Sequence, residues 1–300
     1  MEKINVLSLF DGLGGARIAL DQLGISCNYY SSEIDKPCIE VHQHNYPETI
    51  QIGDVESVKG SDLPKIKLMI GGSPCQSLSG LVNLTENAKG FDGKSKLFFE
   101  YVRLLKEVNP EYFVLENVAS MKDVDRDKMS ELIGVQPIMI DSRLVTGQVR
   151  KRYYWTNIPG VTQPNDLGIK LQDVLESGYT EKEKSYCLTA TYFNACVQNY
   201  FIKSERQHKF LSPVKKIGHT FHINEDIKIE IIPSKGADAN RPALHELKKY
   251  TSMLSPIECE KLQGVKINYT EIAKKKERYK MIGNGFTVPV IKHILSFMPI

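Results

Sequence analysis

The chain has 300 residues, 41% of them hydrophobic, with six cysteines and a formal net charge of +3. This apolar content supports a sizeable core and argues against a disordered polymer, and no stretch approaches the roughly 18 unbroken apolar residues of a membrane-spanning helix. Charge is unevenly spread: residues 1–159 hold 18 Lys and Arg against 21 Asp and Glu, whereas residues 160–300 hold 21 against 15, so the second half suits a polyanion unless this is ordinary surface variation.

The N-terminus reads as a strand, Asn5–Phe10, that ends abruptly at Asp11-Gly12. That is a strand and turn rather than a signal peptide, so no membrane association and a cytoplasmic location are expected. Further strands are predicted at Tyr29–Glu33, Thr49–Ile52, Lys67–Ile70, Tyr112–Leu115 and Pro137–Ile140, with Tyr153-Tyr154-Trp155 as a further edge strand. Between them, Ala16–Leu23 and Ser95–Val108 carry apolar residues at helical spacing, the first stopped by Gly24. Strand–helix alternation of this kind predicts an α/β fold with a mainly parallel sheet. From Pro159 the rhythm gives way to mixed aromatic and basic segments, and near Ser255 helical patterning returns, ending in Val288–Phe297 opened by Pro289. The expected organisation is a catalytic domain over 1–159, a basic insertion over 160–250, and a segment over 251–300 that rejoins the first domain.

Candidate chemistry sits where strands end. Phe10-Asp11-Gly12-Leu13-Gly14-Gly15 lies between the first strand and first helix, where glycines let a ligand approach the backbone. It is not a dinucleotide fingerprint, and alone it is equally a tight turn. Glu33 and Asp54 end the next two strands, where one carboxylate suits the hydroxyls of a ribose and the other an adenine amino group. Each alone is equally a cap or turn residue; together they outline an adenosine-shaped pocket. The strand at Lys67–Ile70 runs into Gly71-Gly72-Ser73-Pro74-Cys75-Gln76, placing a cysteine on a Pro-containing loop at the sheet edge. Glu116, in Glu116-Asn117-Val118, leaves the end of another strand as an acid/base partner or a cap. Gln148-Val149-Arg150-Lys151-Arg152 sets two arginines on one face of a strand, suited to phosphates or a base carbonyl, or is a solvated basic run. The six cysteines contain no C-x-x-C pair, so neither a disulfide framework nor a metal site is expected. Five of the six, Cys75 excepted, read as small buried hydrophobes.

Taken in order, FDGLGG, Glu33, Asp54, SPCQ, ENV and QVRKR resemble the cytosine C5-methyltransferases. The series continues with Leu254–Gly264 and with Gly283-Asn284-Gly285-Phe286-Thr287-Val288-Pro289-Val290, so that only the middle of the chain is left uncovered. The SPC start is similar to the animal de novo DNA methyltransferases and the GNGFTVPV ending to bacterial and phage enzymes. The resemblance implies a Rossmann-like S-adenosylmethionine-dependent methyltransferase fold with a seven-stranded, mostly parallel sheet and a small target-recognition insertion. It implies cofactor contacts from Phe10, Asp11, Gly12, Leu13, Gly14, Gly15, Glu33, Ile34, Asp54, Val55, Pro74, Asn284, Gly285 and Phe286, with Ile34 packed on the adenine. Cys75 would be the nucleophile, Glu116 would bond the cytosine edge, and Arg150 and Arg152 would grip the target nucleotide.

The implied reaction methylates C5 of cytosine in double-stranded DNA through a covalent Cys75–C6 intermediate on a flipped-out base. The family also contains an RNA-modifying branch, which keeps a tRNA cytosine methyltransferase open as the alternative, as is a silent member of the fold. A restriction endonuclease is a further expected functional partner. The loop after Cys75, with Gly80, Gly90 and Gly93 as hinges, would close on the DNA. Thr189-Ala190-Thr191-Tyr192, Arg206, Lys209 and Lys215-Lys216 are candidate recognition residues.

Overall fold

The computed structural model describes residues 3–73, 96–177, 180, 182–192, 200–202, 215–217, 220–222, 228–230 and 251–299. Pro74, Cys75, the loop carrying Gly80, Gly90 and Gly93, Cys196, Arg206 and Lys209 lie outside the described residues.

Seven strands form the central sheet: β1 (Ile4–Leu9), β2 (Cys27–Ser32), β3 (Ile50–Gln51), β4 (Leu68–Gly72), β5 (Tyr112–Val118), β6 (Ile138–Asp141) and β7 (Lys151–Thr156). Their order is β3-β2-β1-β4-β5-β7-β6. β7 runs antiparallel to both its neighbours and the others run together. The expected edge strand at Tyr153–Trp155 is thus an interior strand, wedged between β5 and β6. Its buried side chains explain the placement, because Tyr154 and Trp155 face opposite layers of core and neither could face water.

Alternation along the strands sends side chains into two cores. Val6, Leu68, Ile70, Val114 and Tyr154 join one, and Leu7, Leu9, Met69, Phe113, Leu115 and Trp155 join the other. Strands covered on both faces read as continuous apolar runs, as Leu68-Met69-Ile70 does. The first core is closed by α1 (Gly15–Gln22) and by the last helix, α7 (Val288–Leu295), which pack on each other. The second is closed by α3 (Lys96–Val108), through Phe98, Tyr101 and Leu104, and by α4 (Asp123–Ile133), through Met129. Each fully buried side chain of this size contributes about 1.5–3 kcal/mol.

Two further helices rebuild the first domain from the far end of the chain. α5 (Pro256–Gln263) starts with a capping box between Ser255 and Glu258, has Pro256 in its first turn and stops at Gly264 in the left-handed region. α6 (Lys275–Asn284) follows and ends at Gly285. α2 (Lys36–Asn45), begun by Asp35 and Pro37, covers the β2 side of the sheet. Leu171, Val174, Leu188 and Tyr192 belong to the first core, so the stretch from 171 to 192 packs with the catalytic unit. Tyr192 packs on Tyr279 at 5.5 Å between ring centroids and its hydroxyl accepts from Leu254 N, which makes it a core residue and not a recognition residue. Beyond it the described backbone forms an antiparallel sheet of β9 (Lys215–Ile217), β10 (Thr220–His222) and β11 (Lys228–Glu230), and a pair of β8 (Tyr200–Ile202) with β12 (Thr251–Met253). Among the described residues no helix is long and apolar enough to cross a membrane.

Candidate active site

The site is built at the carboxyl ends of β1, β2, β4 and β5. After β1 the chain turns through Phe10, Gly12 and Gly14, all with positive φ (55°, 58° and 84°), before entering α1 at Gly15. For Phe10 that conformation is strained, and strain of this sort persists only where surrounding contacts impose it. Asp11 supplies such contacts. Its carboxylate is fully buried and accepts from Ser8 Oγ at 2.5 Å, Tyr29 Oη at 2.7 Å and Ser31 Oγ at 2.9 Å, with His42 Nδ1 2.7 Å away. Burial alone would raise the Asp11 carboxyl, but the His42 imidazole and the hydroxyl donors outweigh it and hold it below the usual carboxylate range. The Asp11 side chain therefore points into the protein, so this residue can meet a ligand only through its backbone. Leu13 is buried too, and its carbonyl accepts from Tyr269 Oη at 2.8 Å.

Glu33, past the end of β2, accepts Gly12 N on Oε2 at 2.7 Å and Ile34 N and Asp35 N on Oε1 at 2.8 and 2.9 Å. These occupy three of its about four lone-pair sites and leave Oε2 one free direction. Ile34 is 69% exposed, an unusual position for an isoleucine beside a polar edge. Asp54, exposed after β3, caps a short 3-10 turn at Val55–Ser57 by accepting Glu56 N, and Val55 is buried beneath it. A Cβ added at Gly12 or Gly53 would meet nothing within 4 Å, so open space lies along this rim.

Glu116 belongs to β5 itself, not to a loop after it. It pairs with Gly72 of β4 on one side and Tyr154 of β7 on the other. Its Oε1 stands 2.7 Å from Arg152 Nε, a largely buried ion pair formed diagonally across β5 and β7. A Cβ at Gly72 would come within 2.9 Å of Phe286 and 3.2 Å of Glu116 Oε2, so the bare backbone there lets the Phe286 ring sit beside the carboxylate. Phe286 also touches the Gly15 position, joining the loop after β1 to the acid on β5. Asn117 donates from Nδ2 to the Oγ and carbonyl of Ser73, at 3.1 and 3.3 Å, and so anchors the last described residue before Pro74 and Cys75.

Arg150 does something other than its expected role. It precedes β7, is 3% exposed, and donates to Leu188 O, Gly283 O and Gly285 O at 2.7, 3.2 and 3.0 Å and to Cys187 Sγ at 3.2 Å. A guanidinium enclosed by carbonyls is not free to grip a nucleotide; it holds the Gly283–Phe286 turn in place. Burial, then the nearby Arg152, lower its pKa from the ordinary arginine value. Gln148 and Gln263, both fully buried, complete this brace. Gln148 Nε2 donates to Leu262 O and Gln263 Oε1, while Gln263 Nε2 donates to Ile282 O and Gly285 O. Asn284 projects exposed from the braced turn. Cys187 is half-buried beside both arginines, not in the core with Cys27, Cys38 and Cys259. The paired glutamines and His42 were the residues that motif reading passed over; Gln148 stood in a quoted motif, but nothing marked it as structural.

A seven-stranded sheet of this order, with one reversed strand and a glycine loop and acids at its carboxyl edge, belongs to the Rossmann-like α/β class. The sequence matches the family model for C-5 cytosine-specific DNA methylase over residues 4–134 and 152–298, and the chain belongs to that family. It is similar to the orphan methyltransferase M.SPRI of Bacillus phage SPR, 35% identical over 195 residues that make up 59% of this chain and 44% of that protein, so it spans less than half of that relative. It is also similar to the type II methyltransferase M1.ScrFI of Lactococcus lactis subsp. cremoris, 26% identical over 99% of this chain and 78% of the relative. In fold it resembles a methyltransferase of Entamoeba histolytica, with TM-score 0.72 and 16% identity, covering 99% of this chain and 98% of the other. It likewise resembles Spodoptera frugiperda DNMT2, with TM-score 0.70 and 18% identity over 98% and 99% of the two chains.

Proposed function

We propose that this chain transfers the methyl group of S-adenosylmethionine to C5 of cytosine in duplex DNA through a transient bond from Cys75 to C6. The observation that carries this reading is the Glu116–Arg152 pair, set beside Phe286 at one end of a cleft whose other end offers Glu33, Ile34 and Asp54. The cleft fits the cofactor: exposed Ile34 gives an adenine a face to lie on, and Glu33 Oε2 keeps a direction for a ribose hydroxyl. Asp54 is exposed and able to accept from the adenine amino group, and the space where a Gly12 Cβ would point is open. Asn284 and Phe286 close the other side, and Asp11 contributes through the loop shape it enforces. When bound, the cofactor supplies an electrophilic methyl group.

The protein's part is to make cytosine C5 nucleophilic. The Cys75 thiolate adds to C6, and the C5–C6 π electrons move onto C5 and the C4–N3 system. Glu116 shares a proton with N3 and so offsets the negative charge that builds on the ring. Arg152, locked to Oε1, leaves Oε2 to face the base and keeps the carboxyl group from rotating away. After the methyl group reaches C5, a base removes the C5 proton, the ring electrons expel the Cys75 thiolate, and N3 returns its proton. The base must be flipped from the duplex for Cys75 to reach C6, at a cost of a few kcal/mol. The basic second half supplies the surface for the phosphates.

The test uses duplex DNA carrying 5-fluorocytosine, in which the C5 fluorine blocks the elimination step. The wild type should form a covalent adduct that survives denaturing electrophoresis, and Cys75→Ala and Glu116→Gln should not accumulate it. Methylation of tRNA with none of duplex DNA, or adduct formation by Cys75→Ala, overturns the proposal.

A further inference from the structure

Asp11 and His42 form a buried pair outside the reacting centre. His42, on α2, is 1% exposed, and its Nδ1 lies 2.7 Å from Asp11 Oδ2. Its Nε2 is 3.0 Å from Thr49 Oγ1. With Nδ1 facing the Asp11 carboxylate and Nε2 facing the threonine hydroxyl, each ring nitrogen has a polar neighbour, which orients the ring. The same ring fills the space beneath Gly14, where an added Cβ would fall 2.8 Å from two of its atoms. The imidazole therefore touches the glycine loop twice, by a 2.7 Å polar contact with Asp11 and by packing at Gly14.

The loop needs such support. Three of its residues adopt left-handed backbone, one of them a phenylalanine. Such a turn relaxes to other conformations unless its neighbours over-determine it. Ser8, Tyr29 and Ser31 secure Asp11 to β1 and β2, within the sheet. His42 is the contact that ties it to α2, which begins directly after Glu33 and Ile34. The glycine loop and the Glu33 rim are thereby held to one rigid helix from two ends. Tyr29 and Tyr46 set their rings edge-on against His42, at 5.6 and 5.9 Å between centroids.

We propose that His42, backed by Thr49, is a positioning residue for the cofactor: through Asp11 it preorganises the loop Phe10–Gly15, and so sets cofactor affinity without taking part in methyl transfer. This rests on the cofactor reading above. A merely space-filling histidine would be replaced equally well by any side chain of its volume, whereas a hydrogen-bonding one is replaced only by a side chain with a donor in the Nδ1 position. Asparagine carries its amide nitrogen near that position and leucine carries none.

Binding of S-adenosylhomocysteine, measured by isothermal titration calorimetry, separates these cases. His42→Leu should raise the Kd about tenfold, the cost of one charge-assisted hydrogen bond, and His42→Asn should recover most of that loss. Turnover at saturating cofactor should stay within about twofold in both, a change in KM and not kcat. Wild-type affinity in His42→Leu, or equal losses in the leucine and asparagine variants, overturns the inference. If His42→Leu does not fold, Asp11→Asn, which keeps the volume, reads the same coupling, and wild-type affinity there likewise overturns it. If the wild type itself fails to bind S-adenosylhomocysteine, the cofactor reading fails instead.

Discussion

Asp11 has a measurable consequence of its own. A buried carboxylate with three hydroxyl donors and the His42 imidazole beside it binds its proton less readily in the folded state than in the unfolded chain, where its pKa is about 3.9. Folding stability gained from its ionisation is therefore present above that pH and is lost as pH falls toward the lower, folded value. The wild type should lose melting temperature steeply between about pH 5 and pH 3. Asp11→Asn, less stable at neutral pH, should show a flatter acid limb in the same differential scanning fluorimetry series. Parallel limbs for the two proteins would remove Asp11 from the list of groups that drive acid unfolding. Arg150 teaches the complementary lesson: a charged residue in a basic run reads from sequence as a ligand grip, and only burial shows that its Nη1 and Nη2 groups already donate to backbone carbonyls.

Among the elements, the junction of α6 with the segment before Tyr192 is tightly closed by backbone. A Cβ at Gly283 would fall 2.3 Å from the carbonyl carbon and oxygen of Thr189. Backbone cannot yield as a side chain end can, so Gly283→Ala should destabilise the protein by at least about 1–3 kcal/mol, as overpacking does. Because Arg150 and Gln263 both hold this turn, the variant should also weaken S-adenosylhomocysteine binding; a thermal melt and a titration indistinguishable from wild type would show that the contact is loose. Much of this element layer was legible in the sequence. Strands buried on both faces announce themselves as apolar runs, and α1, α3 and α7 carry clear apolar stripes. α2, with the sequence KPCIEVHQHN, buries only Cys38, Val41 and His42 and gave no such stripe. The interior place of β7 was harder to read, since its own residues, Tyr154 and Trp155, call for cover on both faces but do not say which strands pair with it. The strand-end acids at Glu33, Asp54 and Glu116 were readable because in a parallel sheet the ends of strands converge on one edge. The His42–Asp11 contact was not, because it joins a helix to a loop with no shared pattern.

Across the whole molecule, the acidic first half carries the cleft and the basic second half balances it. An enzyme whose partner is a polyanion should hold it through phosphate contacts and the release of counterions. Affinity for a duplex without a target site should fall linearly in log K against log salt, by roughly one unit of slope per phosphate neutralised. Fluorescence anisotropy across a salt series reads this directly, and a flat dependence would detach the basic half from nucleic-acid binding. Phosphate contacts of this kind position a nucleic acid, whereas sequence is read by groups that reach base edges.

The hydrogen bond from Tyr269 to the Leu13 carbonyl joins residues 256 positions apart, and α7 packs on α1 across a similar separation. A ribosome adding about 5–20 residues per second makes the glycine loop roughly 15–50 s before it makes the tyrosine that secures it. During that interval the nascent chain has its acids and its loop but no wall on the far side of the cleft. Any product terminated before the last helices thus lacks the Asn284–Phe286 side of the site. The cofactor site proposed above is in this way left unfinished until translation has gone past residue 286.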